Sequence, residues 1–506
     1  MKQLQADKLL KIWIAWLKDH AAPFFATLLT GCAAHGFALS NKLVNHDEVA
    51  ALFFKGATVD SGRWGLELMP LIFPDYSMPW IYGIISILMI AIAVCLMVDL
   101  FRIRSKALQI LLGGLIVTYP TVTGTLSYMF TATSYMFAFL LAVLGPYLLC
   151  RKQDWGSRIL AVVCITLAVG IYQAYVAVAA TLFVLYLIRL LLDGHLATKK
   201  ILLQGVGYVA VLGICLGLYW IINRLAMLLT GMEAGVYATG AESSHGLLWR
   251  IVQAYGAFAL SFVTGMNGLI PTAASRILHI VCMLIVALWL ILRLRRQGDV
   301  WQTLLLIGLV CLLPLSMNCM YLIAGSGAIH TLVLYSNACV YLLAAMVLEE
   351  RIEGMQMRSV LSSAAALCMA LVIAGNIYTA NRAYLGLHLR YENNYATCTN
   401  LVTQMQMTPG YTRKTPVLLA GTMQEPVFYD HFLDLSQLAG ARGVSINDWS
   451  NRIFFSYYCG VQLPEPDQSQ TDRVYASAEF AAMPTYPANG SVAMIEDVLV
   501  VKFSEE

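Results

Sequence analysis

Between Val300 and Leu348 the chain runs for 49 residues without an Asp, Glu, Lys or Arg. A helix crossing a bilayer needs about 20 mostly apolar residues, so this one run holds two spans. Similar runs recur at Ala21–Asn41, Tyr76–Val98, Ala107–Cys150, Ile159–Ile188, Ile201–Asn223, Ile277–Leu292 and Val360–Asn381. The run at 107–150 is again long enough for two spans, with a turn expected at Pro120–Gly124. The run at 159–188 breaks near Gly170–Tyr175, and the 49-residue run has polar residues at Asn318 and Gly325–Gly327. The total is eleven spans. Only 12% of the 506 residues are charged, about half of the roughly 25% usual in soluble proteins. With a mean hydropathy of +0.69, that excludes a soluble enzyme, a disordered chain and a nucleic-acid binder.

The basic residues test this count. With the N-terminus inside, segments 1–20, 99–106, 151–158, 189–200, 293–299 and 349–358 are cytoplasmic and together hold 18 Lys and Arg. The opposite loops before the C-terminal tail hold six: Lys42, Lys55, Arg63, Arg224, Arg250 and Arg276. Cytoplasmic loops are enriched in this way. The expected topology places the N-terminus in the cytoplasm and the C-terminus outside it. Segment 1–20 alternates Leu, Ile and Trp with Lys, as an interfacial amphipathic helix does, and is not read as a cleaved leader.

Three outer segments are longer than turns. Loop 42–75 is the first. Loop 224–276 is the second; its stretch from His245 to Leu260 is expected to lie at the membrane surface, because a further span would place Arg293, Arg295 and Arg296 outside. Residues 382–506 form the third, with strand-like runs at Pro416–Leu419 and Val492–Phe503 and turn signals at Pro487–Gly490. The predicted architecture is an all-α polytopic membrane domain, 1–381, followed by a small extracytoplasmic α/β domain, 382–506. Cys398 and Cys459, the only cysteines of the tail, are a candidate disulfide in an oxidising compartment; two buried thiols are the alternative.

The sequence offers no usable P-loop, dinucleotide fingerprint or zinc motif, and no cytoplasmic loop is large enough for a nucleotide-binding domain. The richest chemistry stands in the first outer loop: Asn45-His46-Asp47-Glu48, then Asp60-Ser61-Gly62-Arg63-Trp64. A carboxylate desolvated at a membrane surface has a raised pKa and serves as a general base. A guanidinium binds two phosphate oxygens at once, and Trp64 offers a flat face for a sugar. The plainer reading is a solvated loop with surface ion pairs. Tyr128, Tyr135, Tyr172, Gln173 and Tyr175, near the outer ends of spans, are either cleft residues or an aromatic belt. Arg250 and Arg276 are candidates for a lipid phosphate or simple helix anchors, and His35 reads as a packed, hydrogen-bonded histidine. Asp47, Glu48 and Asp60 have the oxygens for a Mg²⁺ or Mn²⁺ ion but not a strong site spacing.

The acidic pair after the first span, Asp60–Trp64, Tyr119-Pro120 with Ser127-Tyr128, Gly170–Gln173 and the tail's Tyr486–Ser491 leading to Val500–Phe503 together resemble the GtrII-type glucosyltransferases, integral membrane enzymes of the GT-C class. That resemblance implies a polyprenyl-phosphate-linked sugar donor, usually glucose, and a surface-glycan acceptor such as an O-antigen, in the bacterial inner membrane, with a flippase and a donor synthase in the same pathway. It also implies an inverting displacement in which Asp47 or Glu48 is the base, Asp47 favoured as the first acid after the first span. Arg63, with Arg250 and Arg276, would meet the donor phosphate; Asp60, Trp64, Tyr128, Tyr172 and Gln173 would contact substrate. A divalent cation is optional in the class. Rival functions are a polysaccharide polymerase or ligase, whose chemistry would sit in 224–276, a flippase for lipid-linked saccharides, and a non-catalytic assembly factor.

Overall fold

Inside a bilayer every backbone N–H and C=O needs a partner within the protein, and the apolar runs meet this by becoming helices. In a computed structural model the described residues are 5–53, 56, 58–152, 154–233, 235, 246–294, 299–324, 329–349, 358–441, 443 and 448–505. Lys55, His245, Arg295, Arg296 and Gly325–Gly327 lie outside the described residues. Ten helices are long and apolar enough to cross a membrane, or up to eleven when a bent pair counts as one span.

The amphipathic α1 (Gln5–Asp19) precedes the first span, with Leu10, Ile12 and Trp13 exposed. The spans are α2 (Ala21–Ser40), α3 (Pro79–Leu100), α4 (Lys106–Thr118) continued by α5 (Pro120–Leu126), α6 (Met129–Arg151), α7 (Trp155–Ile171), α8 (Tyr175–Asp193) and α9 (Thr198–Thr230). After α10 (Leu247–Thr264) come α11 (Ala273–Leu294), α12 (Val300–Met317), α13 (Thr331–Glu349) and α14 (Arg358–Met407). Pro120 bends the third span by 44° but does not end it. It occupies the first position of α5, where its missing N–H is no loss. The expected turn at Pro120–Gly124 therefore moves to Ser127-Tyr128.

Side-chain ties mark the two faces of the bundle. On one, His20 meets Asp99 at 3.0 Å, Arg102 meets Asp193 at 3.4 Å, the Ser105 N–H donates to Glu349 at 3.1 Å and Arg293 donates to the Leu192 carbonyl at 3.4 Å. The other face carries Asn41, Ser127-Tyr128, Gln173, Asn318 and the tail. Helix α10 starts and finishes on this second face. Arg250 near its start donates to the Leu322 carbonyl at 3.0 Å, and Asn267 just after its end donates to the Tyr321 hydroxyl at 2.9 Å. Although α10 has the length of a span, it returns to the connector it left. Helix α7, at 17 residues, is apolar but shorter than the ten.

The bundle has a dry centre and a lipid-facing flank. In α13, 94% of the apolar window is inside the protein, against 11% in α9. Aromatic contacts bind the centre: Tyr335 lies 4.4 Å from Phe139, and Tyr135 stacks on Tyr172 at 4.2 Å. His35 is fully buried, with Nδ1 2.8 Å from the Tyr384 hydroxyl and Nε2 2.9 Å from the Val117 carbonyl. It pins α2 to α4 and α14.

The 381/382 boundary lies inside α14, whose 50 residues extend about 75 Å at 1.5 Å per residue. The last span thus becomes the backbone of the tail. Around it β1 (Val417–Ala420), β2 (Val492–Ile495) and β3 (Val498–Lys502) form a sheet in the order β1-β3-β2. β1 is parallel to β3 (Val417 opposite Leu499) and β2 antiparallel (Val492 opposite Val501). The run expected as one strand, Val492–Phe503, is a hairpin that turns at Glu496, φ 50°. One sheet face buries Val501 and Leu499 with Leu401, Phe454, Phe455 and, from the first loop, Val44, Val49 and Ala50. Tail and first loop share this core. Cys398 and Cys459, the candidate pair, stand beside each other here as free thiols. That contact holds the Cys459 thiol below its usual pKa and, with burial, pushes Cys398 up.

Candidate active site

Asn45 organises the first loop. Its side-chain oxygen accepts from the N–H groups of Asp47 (3.1 Å) and Glu48 (2.9 Å), and its amide donates to the Ser127 carbonyl at 2.7 Å. An asparagine in this arrangement makes a local turn in place of regular structure. The turn sends the two acids apart. Glu48 is fully buried; Lys42 and Ser77 both donate to its Oε1, and the Phe130 N–H approaches Oε2 at 3.4 Å. Burial raises its pKa against the pull of Lys42 and Ser77. Asp47 has half its side-chain surface open, and its carboxylate lies 3.5 Å from His46 Nε2. Glu48 therefore ties the loop down, and Asp47 is the acid that stays open.

The second half of the loop is held by Asp60 and Gly62. Asp60 Oδ1 accepts from the N–H groups of Thr58 and Ser61, both at 2.9 Å, so Asp60 shapes the turn. Gly62 has φ 72°, and a Cβ there would fall 2.7 Å from the Tyr219 hydroxyl and 2.8 Å from Gln173 Nε2. Only glycine meets both conditions. Gln173 donates to the Ser61 carbonyl at 2.7 Å and Tyr219 to the Gly62 carbonyl at 3.0 Å, fastening the loop to α7–α8 and α9. These bonds bring Arg63 over the Tyr172 ring, 5.4 Å from its centroid.

Tyr128 connects the two halves. Its ring is 6.4 Å from that of His46. With Tyr135, it lies near enough to Tyr172 to reinforce the rise in the Tyr172 pKa that burial causes, while Arg63 opposes it. The structure thus gathers Asp47, His46, Tyr128, Tyr172 and Arg63. Tyr135 and Tyr175 are buried behind them.

Other expected residues do different work. Trp64 has no face for a sugar, because its ring lies against Gly170, where a Cβ would come 2.3 Å from it. Arg276 donates to the Val263 carbonyl at 3.3 Å, and Arg250 to that of Leu322; they secure the two ends of α10. Among the described residues no group of three His, Cys, Asp or Glu lies together. Glu48 is held by Lys42 and Asp60 by its own turn, so these carboxylates do not fit a shared Mg²⁺ or Mn²⁺ site.

One neighbour was missed. His330, the only histidine in the 49-residue uncharged run, lies near Arg63. Its side chain is exposed, yet the protein crowded around it, and then the charge of Arg63, lower its pKa to about 4. Its Nδ1 accepts from the Leu332 N–H at 3.4 Å, so the ring proton stands on Nε2. A lone histidine in an apolar run was the available signal.

The family model described as glucosyl transferase GtrII matches residues 36–348, from the end of α2 to the end of α13. The chain belongs to this family. The match contains the whole Asp47–Arg63 loop and His330, and stops before the tail. No curated protein and no solved structure matches the chain. As a GtrII family member with ten apolar helices of spanning length, the protein is a multi-pass membrane glycosyltransferase that acts on a sugar donor and a glycan acceptor.

Proposed function

We propose that this GtrII protein moves glucose from a polyprenyl-phosphate carrier to an O-antigen or similar surface glycan, at the extracytoplasmic face of the bacterial inner membrane. The observation that carries this reading is the split of the acidic pair: Glu48 is consumed by Lys42 and Ser77, while Asp47 stays half open beside His46, whose ring faces Tyr128. The acceptor hydroxyl gives its proton to Asp47 as its oxygen bonds to the anomeric carbon. The bond from that carbon to the carrier phosphate breaks, and the phosphate leaves with both electrons against Arg63. One displacement inverts the anomeric centre. His330 Nε2–H, neutral beside Arg63, is a second donor for the leaving phosphate. No step is routed through a metal ion.

The test is transfer from polyprenyl-phosphate-linked radiolabelled glucose by purified protein. Wild type transfers label and Asp47→Asn does not, while donor binding survives; a fully active Asp47→Asn protein ends the assignment. Reporter fusions address the face: one after Phe503 is expected outside the cytoplasm and one after Arg293 inside. A cytoplasmic tail would place the cleft on the wrong side for a surface glycan.

A further inference from the structure

At the base of the tail, just beyond the last span, lies a cavity of about 320 Å³ between α14 and the chain from Thr422 to Gly443. That is at the small end of the range for small-molecule sites. Arg390 on α14 reaches into it and is only 7% exposed. Its guanidinium lies 4.8 Å over the Tyr429 ring and 3.7 Å from Glu425, and donates to the Ala441 carbonyl at 3.4 Å. Arg390 Nε has no hydrogen-bond partner among the described residues, and an unpaired buried donor is costly. Tyr429 and Phe432 each leave part of a ring open to the cavity. Arg382 clamps this wall by gripping Asp434 through two bonds of 2.8 and 2.9 Å and the His431 carbonyl at 2.7 Å.

We infer that this cavity binds an uncharged hexose unit of the acceptor glycan, an inference that rests on the transferase reading above. A sugar needs a flat apolar surface for its C–H face and a mixture of donors and acceptors for hydroxyls that do both. Tyr429 and Phe432 supply the first; Arg390, Glu425 and Gln424 supply the second. The carboxylate of Glu425 beside Arg390 repels a phosphate or an acidic sugar, which selects a neutral ring. Position agrees with the role. Leu435 and Ser436 line the cavity, and the same strip continues onto the membrane domain: a Cβ on Gly440 would come 2.6 Å from Ser127 and 3.0 Å from the Tyr128 ring. A glycan held here lies one strip of chain from the Tyr128–Asp47 side of the loop. The cavity also lies outside 36–348, where a determinant peculiar to one member's acceptor belongs.

Saturation-transfer NMR on the full-length protein in detergent tests this, with methyl hexopyranosides of glucose, galactose, mannose and rhamnose as probes. At least one is expected to bind, unaffected by equimolar inorganic phosphate. Tyr429→Ala should weaken it about tenfold, and Tyr429→Phe, which keeps the ring and reports on folding, should leave it within about twofold. Arg390→Gln should also weaken it about tenfold. Absence of binding by all four probes, displacement by phosphate, or an unaltered Tyr429→Ala protein overturns the inference. Donor turnover by the wild type, measured separately, reports on the transferase reading, so the two can fail independently.

Discussion

The first and second long loops of the tail-bearing face hold similar residues, an arginine or two among aromatics near a membrane surface, yet they are built in opposite ways. In the first loop the charged side chains meet other side chains: Glu48 meets Lys42 and Ser77, Asp47 meets His46, and Arg63 is laid over Tyr172. Around α10, Arg250 and Arg276 bond backbone carbonyls at its two ends, Leu322 and Val263. Arg63 is placed over an aromatic ring in the cleft, whereas Arg250 and Arg276 each hold a carbonyl at an end of a helix. Composition near a membrane therefore says less about phosphate binding than does the group an arginine already serves.

The comparison breaks most directly at Asp47. General-base assistance is worth roughly 10²–10⁴-fold, so Asp47→Asn should lower kcat on that scale while the KM for the donor changes little. Single-turnover transfer with excess enzyme is the measurement. A loss confined to KM would make Asp47 a binding group and return the base to an unassigned residue.

Glu48 should fail differently. Removing one partner of a buried ion pair costs about 3–5 kcal/mol, and the partial exposure of Lys42, 26% of its side chain, puts Glu48→Ala at about 3 kcal/mol. The expected result is a lower thermal midpoint in detergent. Glu48→Gln, which keeps hydrogen bonds to Lys42 and Ser77, should recover most of it. If instead Glu48→Gln is stable and inactive, the two acids have exchanged roles.

These two residues also show what the sequence could and could not disclose. The spans were legible because an uncharged run longer than the bilayer has few alternatives to crossing it. Neighbouring acids could be expected to diverge, but which one turns inward depends on Ser77 and Phe130, distant in the chain and brought near only by α3 and α6. Trp64 misled for the same reason: its ring is claimed by Gly170 on α7, and nothing in Gly-Arg-Trp announces that partner. The tail boundary followed a real change in composition at 381/382, whereas helix hydrogen bonding is indifferent to which solvent surrounds it, so α14 continues.

Arg63 gives a smaller effect. A charge-assisted hydrogen bond is worth about 1.5–3 kcal/mol, and lysine keeps the charge but loses the fork, so Arg63→Lys should cost roughly tenfold in kcat/KM. His330 sharpens this test. With a pKa of about 4 it is neutral throughout pH 5–8, because a lowered pKa means that the proton is bound only below that value. His330→Gln should therefore lower the rate without moving the pH profile across that interval. A limb near pH 6.5 that vanishes in His330→Gln would show an ordinary, solvated histidine instead.

Arg276 should matter least, and for that reason it tests the contrast most narrowly. Its guanidinium holds the Val263 carbonyl where α10 ends, and a Cβ added to Gly265, at φ 74°, would come within 3.2 Å of it. Arg276→Gln keeps a donor for that carbonyl, since glutamine carries an amide N–H. Were the residue only a clamp, transfer should stay within about threefold of wild type, with any change traceable to a small loss of stability on the scale of one hydrogen bond, about 1 kcal/mol. Were it instead a phosphate ligand, the neutral amide would weaken donor binding at least as much as Arg63→Lys does, and the effect would shrink at high salt, where counter-ions screen an exposed charge. Measuring donor KM for both variants at two ionic strengths separates the cases. A salt-dependent loss at Arg276 equal to that at Arg63 would mean that both loops grip the donor, and the division between a reacting loop and a bracing loop would be wrong.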